Sequence, residues 1–335
     1  MQPIRIVGNG LAAHVLAQTL IQRGLEVEVF AADFPGAASK AAWGLLNPVH
    51  LKTKTLTYGA LGFDRASAFY TDCQERLHAH FVEPVVLRHY FRDELEKNGW
   101  IQAWQEGLHQ HIRCADTYVE VLRAASISIP HFLSASQLDL ERRGYWRNSL
   151  GLEAELKNIP PSNWVVWAQG VWACSSSLFG WVPLRPSAGV QAEWNQPSSD
   201  FQPLVVHRGF FLGQDPANPS VHRLGSTYSW SQDPDDHAQA EQELIRSLPT
   251  YPEAQSPNSL RFSLGYRPAS GDRKPIVGHH PEFRNHLFFN GLGSKGLLLA
   301  PQLADLLADI CVHSDCEIPP EINIARFYKR FKSGR

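Results

Sequence analysis

The chain has 335 residues, more than the ~250–300 that one hydrophobic core usually serves, so two lobes are expected. Its 43% apolar and 19% charged residues describe a globular protein and exclude a disordered one. Thirty-one Lys and Arg against 33 Asp and Glu leave a net charge of −2, which excludes a protein that coats nucleic acid by bulk charge. No apolar run in the sequence reaches the ~20 residues of a membrane helix, so a soluble, cytoplasmic protein is expected. Five scattered cysteines without a C-x-x-C pair read as reduced thiols, and the 15 histidines show no ligand spacing, so no metal is expected.

Ile4 to Val7 is a short β-branched run and reads as a strand. Gly8-Asn9-Gly10-Leu11-Ala12-Ala13 follows, then apolar residues at helical spacing from Ala13 to Arg23, with Gly24 as the stop. Leu25 to Phe30 is a second strand. Strand, glycine turn, helix and strand within this length form a dinucleotide-binding unit with a G-x-G-x-x-A fingerprint. Gly8 permits the tight turn, Gly10 lets the backbone approach a pyrophosphate, and Ala13 lets the helix pack closely on the strand. The first-turn N–H groups, at Leu11 and Ala12, and the positive end of the helix dipole face the phosphates. The acidic residue that usually ends the second strand is missing: Ala31 stands there and Asp33 lies two residues on. Either Asp33 substitutes from the loop, or backbone groups hold the adenosine end. This unit alone does not separate NAD from FAD.

Phe63 to Leu77 has a helical pattern, Asp116 to Ala125 reads as a helix, and Ser128 to Phe132 and Asn163 to Ala168 read as strands. Pro203 to His207 and Gly209 to Gly213 are short strands between Pro/Gly turns, and the acidic stretch from Gln232 to Ser247 is a solvated helix. Phe288 to Asn290 ends a strand, Gly291 to Gly296 is a flexible turn, and Leu297 to Cys311 is a helix, a second arrangement that aims a helix N-terminus at a ligand. The tail from Arg326 to Arg335 holds five basic residues among ten, interleaved with aromatics, a composition that suits RNA contact and equally a terminus whose aromatics tuck onto the core. The expected architecture is α/β: a Rossmann-like lobe of residues 1–50, 110–180 and 260–335, with a second, α+β substrate lobe of 51–109 and 181–259 built on an antiparallel sheet.

Six segments in order carry a resemblance: Ala38 to Pro48 (ASKAAWGLLNP), Asn163 to Gly170 (NWVVWAQG), Val182 to Gln191, Arg223 to Tyr228, Gly265 to Gly278, and Asn290 to Pro301 (NGLGSKGLLLAP). Together they resemble the D-amino-acid-oxidase-like family of FAD-dependent amine oxidoreductases. Gly291 to Gly296 and the tail resemble the FAD-dependent oxidase domain of tRNA wobble-uridine modification enzymes, with glycine and sarcosine oxidases next. The resemblance implies FAD held by Gly8, Gly10, Leu11, Ala12, Ala13, Asp33, Ser39, Gly44, Leu46, Gly170, Gly291, Gly293, Ser294, Lys295, Gly296 and Leu297. No Cys lies in the final glycine turn or beside His50, so the FAD is expected to be noncovalent. It further implies that Arg267 grips a substrate carboxylate, that Lys295 adds positive charge near the flavin, and that His50 lies close to the flavin ring. The related oxidases carry a second Arg in the final turn, where this chain has Ser294. The implied reaction is oxidation of the C–N bond of a small primary or secondary amine or amino acid, by hydride transfer to the flavin and hydrolysis of the imine. The alternatives are removal of a carboxymethyl group from a tRNA wobble uridine, with tRNA as partner through the basic tail, and a flavin-binding module without turnover.

Overall fold

In a computed structural model, which describes residues 2–31, 35–148, 160, 162–196, 204–231, 233–254, 257, 259–313 and 316–333, the strand Ile4–Val7 buries Ile4 and Ile6 completely or nearly so. It lies at the centre of a six-stranded sheet in the order Trp146–Asn148, Val27–Ala31, Ile4–Val7, Val165–Trp167, His286–Asn290, Ile276–His279. The first five run parallel and the last antiparallel. Parallel strands covered on both faces favour continuous apolar runs, which Val165–Trp167 and the Leu287 to Phe289 centre of His286–Asn290 supply; every residue in both strands is buried. The helix Leu11–Gln22 begins directly after the glycine turn and ends at Arg23, with Gly24 at φ +75° as the left-handed stop. The 18-residue helix Gly296–His313 packs against it and buries Leu297 to Pro301, Leu303, Ala304, Leu307, Ala308, Ile310 and Cys311. Among the described residues this helix is the one long and apolar enough to cross a membrane by length and composition; here most of it is buried in the protein core. This unit comprises Met1–Lys40, Leu133–Ser187 and Tyr266–Arg335.

The second unit, Ala41–Phe132 and Ala188–Gly265, is organised by an eight-stranded sheet. Arg261–Ser270 lies at one edge beside Leu184–Asn195; from Leu184–Asn195 through Asn218–Gly225, Phe211–Asp215, Leu204–His207, Val86–Tyr90 and Tyr118–Val121 to Ile112–Cys114, neighbours run antiparallel, except the parallel pair Leu204–His207 with Val86–Tyr90. Val190, Ala192, Trp194, Val206, Leu212 and Leu224 fill one face, with Leu244 of the helix Pro234–Ser247 and Tyr251 over them. Leu87, Val119, Val121 and Val205 belong to the other core, beneath Trp100 of the helix Glu94–Gln105. A buried ion pair crosses this sheet: Asp215 meets the Arg223 guanidinium at 2.8 Å and accepts the Ser128 hydroxyl at 2.9 Å.

Two sequence readings are corrected. Residues 116–125 contain the strand Tyr118–Val121 and not a helix: Tyr-Val-Glu-Val alternates half-buried and buried residues, and Leu87↔Val121 and His89↔Val119 register it on Val86–Tyr90. Residues 128–132 open the helix Ile129–Arg142 and form no strand; Pro130 sits in the first turn, where its missing N–H costs nothing. Because the strand at 118–121 belongs to the large sheet, packing draws the unit boundaries at Lys40, Phe132, Ser187 and Gly265, where the sequence reading has 50, 110, 180 and 260.

The C-terminal segment is docked. Arg326 pairs with Asp272 at 3.0 Å and donates to the Pro275 carbonyl, and the Tyr328 hydroxyl donates to the His279 carbonyl at 2.7 Å. Ile324 is fully buried against a core of Val165, Trp167, Phe179, Ile276 and Phe288, and Phe327 and Tyr328 pack on it. Replacing Ile324 with Ala is expected to lower unfolding stability by about 2–4 kcal/mol at unchanged m value, read from urea denaturation of the full chain.

Candidate functional site

The turn after the first strand is built on an approach too close for a side chain. Gly8 has φ +147°, and a Cβ there would lie 2.3 Å from the Ala168 carbonyl oxygen. Main-chain bonds hold the contact: Gly8 N–H donates to the Phe30 carbonyl at 3.0 Å and Ala168 N–H to the Val7 carbonyl at 2.8 Å. Gly10 caps the following helix in extended conformation without a side-chain bond. Leu11 N–H donates to Ser39 Oγ at 3.0 Å, and a Cβ on Gly10 would stand 3.2 Å from that oxygen. The N–H groups of Ala12 and Ala13, in the same first turn, have no acceptor within the helix. Ala13 is fully buried behind the turn, next to Gly8.

A second helix start opens on the same space. Asn290 ends its strand by accepting Gly291 N–H on its side-chain oxygen at 2.9 Å and donating its amide to the Gly170 carbonyl at 2.8 Å. Gly291 and Gly293 take φ +73° and +54°, and Gly293 N–H donates to the Pro268 carbonyl. The Lys295 carbonyl accepts Leu298 and Leu299 N–H, which sets Gly296 as the first helical residue. A Cβ on Gly296 would lie 3.0 Å from Leu11 Cδ2, so the Leu11 side chain packs directly on Gly296. Between the two helix starts lies a cleft, open to solvent, whose walls include Gly8 to Ala12, Gly170, Gly293 and Gly296. Gln169 also lines it, and its buried Oε1 has no hydrogen-bond partner within the protein. Two positive helix ends, a cradle that a Cβ would fill and a buried acceptor without a donor fit a long, anionic, hydrogen-bonding ligand such as a dinucleotide. Lys295 is half-buried, and desolvation lowers its amine to about 8, so it is charged below that pH and neutral above.

Of the residues singled out in the sequence, Gly8, Gly10, Leu11, Ala12, Ser39, Gly170, Gly293 and Gly296 line this cleft. Ala13, Gly291, Ser294, Lys295 and Leu297 adjoin it in sequence without being among its lining residues. Gly44 and Leu46 sit in a small sheet of the second unit, with backbone partners Ile127 and Ala125. His50 is also in the second unit, where its Nδ1 accepts Thr53 N–H at 3.2 Å. Asp33 lies outside the described residues. Arg267 is half-buried between Tyr266 and Pro268, which both line the cleft, and is not itself among the lining residues. Sequence reasoning missed Asn9, Ala168, Gln169, Trp172 and Asn290 as lining residues. Asn290 had a readable signal, a short amide directly before a glycine turn. Among the described residues, no group of three or more His, Cys, Asp or Glu is placed to hold a metal ion.

Comparison with known proteins follows this geometry. Residues 134–310 match the family described as FAD dependent oxidoreductase, DAO. The chain is 28% identical to glycine oxidase of Bacillus subtilis, over 46% of this chain and 42% of that one. It is 26% identical to the tRNA 5-methylaminomethyl-2-thiouridine biosynthesis bifunctional protein MnmC of Aromatoleum aromaticum, over 90% of this chain and 56% of that one. The chain thus spans about half the length of these curated relatives. The crystal structure of iminodiacetate oxidase (IdaA) from Chelativorans sp. BNC1 superposes with a TM-score of 0.75 at 19% identity, over 95% of this chain and 97% of that one, a likeness of fold.

The two turn glycines are expected to fail differently. Gly8→Ala drives a Cβ into a carbonyl at positive φ and is expected to cost about 2–4 kcal/mol of stability together with loss of FAD retention. Gly10→Ala meets a rotatable hydroxyl and is expected to melt within a few degrees of wild type while binding FAD about tenfold more weakly, because its methyl stands where the backbone must approach the pyrophosphate. Thermal melts of the apoproteins and FAD titrations check both.

Proposed function

The chain belongs to the family of FAD-dependent oxidoreductases, and on that premise we propose that it oxidises the C–N bond of a small primary or secondary amine, an amino acid being the simplest candidate. The observation that carries the proposal is the pair of helix N-termini opening on one cleft. Relatives named for oxidation of glycine and of iminodiacetate, both amines with carboxylates, support the substrate class. The backbone from Gly8 to Ala12 would hold the pyrophosphate, and the turn from Gly293 to Gly296 would hold the far end of FAD. When bound, FAD supplies the hydride acceptor and passes electrons to oxygen or another acceptor. The protein's contribution is position and charge. The N-terminus of Gly296–His313 and the Lys295 ammonium set a positive potential that favours the negative charge arriving with the electrons. Arg267 is the residue proposed to grip the substrate carboxylate, for which its planar fork is suited. The amine must arrive unprotonated, since an ammonium has no lone pair to assist hydride loss, and the imine product then hydrolyses in water; this scheme calls for no dedicated base.

The test is an absorbance spectrum of the FAD-loaded protein, followed by anaerobic titration with glycine, sarcosine, D-amino acids and carboxymethylaminomethyl-uridine. At least one amine is expected to bleach the flavin, and Arg267→Gln is expected to raise KM for a carboxylated amine by about 30-fold. The Lys295 contribution is present while the amine is charged and is lost as pH rises through about 8, so Lys295→Met should flatten that part of the reduction profile. A protein that takes up no FAD, or whose flavin no amine bleaches, overturns the proposal.

A second reading takes the amine from a modified tRNA uridine. It is favoured by the relative named for tRNA 5-methylaminomethyl-2-thiouridine biosynthesis, which aligns with 90% of this chain, and by the exposed Lys329, Arg330 and Lys332. Phe327 and Tyr328 are packed on the core and Arg326 is engaged by Asp272, which leaves phosphate contact, and not base stacking, to these three cations. Reversing Lys329, Arg330 and Lys332 to Glu is expected to weaken tRNA binding and reduce its log–log salt slope by about one per lost contact, with free amino-acid oxidation unchanged. tRNA binding that is absent, or unaffected by the reversals, overturns this reading.

A further inference from the structure

The helix Leu11–Gln22 buries a polar side chain where an apolar one would pack as well. His14 is fully buried in the dinucleotide unit, and burial lowers its imidazole to about 3, so the ring is neutral. Its Nε2 lies 3.1 Å from Asn9 Oδ1 and its Nδ1 2.9 Å from Ser136 Oγ. Asn9 Oδ1 can only accept, so Nε2 carries the proton and Nδ1 accepts from the Ser136 hydroxyl. Ser136 Oγ in turn accepts from Gln18 Nε2 at 3.2 Å, and Gln18 Nε2 also donates to Asp139 Oδ2 at 3.2 Å. His14, Gln18 and Ser136 are all fully buried, so a run of hydrogen bonds crosses the interior: the Gln18 amide donates one way to the Asp139 carboxylate and the other way to Ser136, and from there each group donates toward the glycine turn.

Such a run is costly to bury, and an apolar residue at position 14 would avoid that cost. Its far end is the one member that lines the cleft, Asn9, between the two glycines of the turn. With the imidazole on its oxygen, the Asn9 amide keeps an NH2 donor, on a residue that lines the cleft. We infer that His14 is a positioning residue: it fixes the Asn9 amide so that Nδ2 donates to a phosphate oxygen of the bound dinucleotide. This rests on the reading of the cleft as the FAD site. It assigns to the second position of the fingerprint a side-chain contact that the glycines on either side cannot supply.

The test is titration of the apoprotein with FAD, read by flavin fluorescence, alongside melts without FAD. Asn9→Asp replaces the donor with a negative acceptor and is expected to weaken binding at least tenfold, Asn9→Ala and His14→Phe each about tenfold, the size of one lost charge-assisted hydrogen bond. His14→Gln, whose side-chain amide can reach the same oxygen, is expected to recover most of the affinity. In the double variant Asn9→Ala/His14→Phe, affinity should be no weaker than in Asn9→Ala alone. If His14→Phe weakens FAD binding equally in the Asn9→Ala background, or if Asn9→Asp and His14→Gln both bind as wild type does, the inference is overturned while the cleft reading stands. If His14→Phe does not fold, the Asn9 variants and His14→Gln decide the matter by the same criteria. Failure of the wild-type protein to bind FAD overturns the cleft reading, and the inference with it.

Discussion

Everything in the dinucleotide unit is arranged around the meeting of two helix beginnings, Leu11 of one against Gly296 of the other. Each carries a partial positive charge at its N-terminus, so the space both border favours negative charge. Small residues stand on both sides: Gly8 leaves no volume for a side chain against a carbonyl, and Gly10 against a hydroxyl and Gly296 against a leucine methyl leave little.

The fold was legible wherever a single local rule settles the outcome. Ile4 to Val7, the glycine turn and the helix after it follow from β-branching, from positive φ at Gly8 and from helical spacing, and none of these needs a partner far away in sequence. The failures have long-range causes. Residues 118–121 form a strand because Val86–Tyr90 lies alongside, a fact that a window of ten residues does not contain. Gly44 and Leu46 belong to a segment that resembles one running past a flavin, and their backbone pairs with Ile127 and Ala125. Asn9 and His14 were invisible for a different reason: five residues apart, across a helix start, neither has a composition that marks it, and only their shared hydrogen bond reveals the pairing.

The second unit shows the opposite balance, with recognition of its elements depending on a sheet packed on both sides. Its buried charge pair, Asp215 with Arg223, gains little net stability, because desolvation offsets most of the attraction. What the pair does provide is register: the carboxylate accepts from Ser128 as well as from the guanidinium, so three separate segments must be correctly aligned before both contacts form.

The docked tail has a consequence beyond local packing. Ile276–His279 is the outermost strand on its side of the six-stranded sheet, with one row of peptide groups that no neighbouring strand of that sheet pairs. Val277 N–H donates to the Ile322 carbonyl, and Asn323 bridges to the same strand. Residues 322–324 therefore act as a stopper on a surface that would otherwise template addition of another chain, the usual route from a folded sheet to intermolecular aggregation. The segment is thus held to two separate demands, with its inner side chains fixed by edge protection and only its outward cations open to divergence.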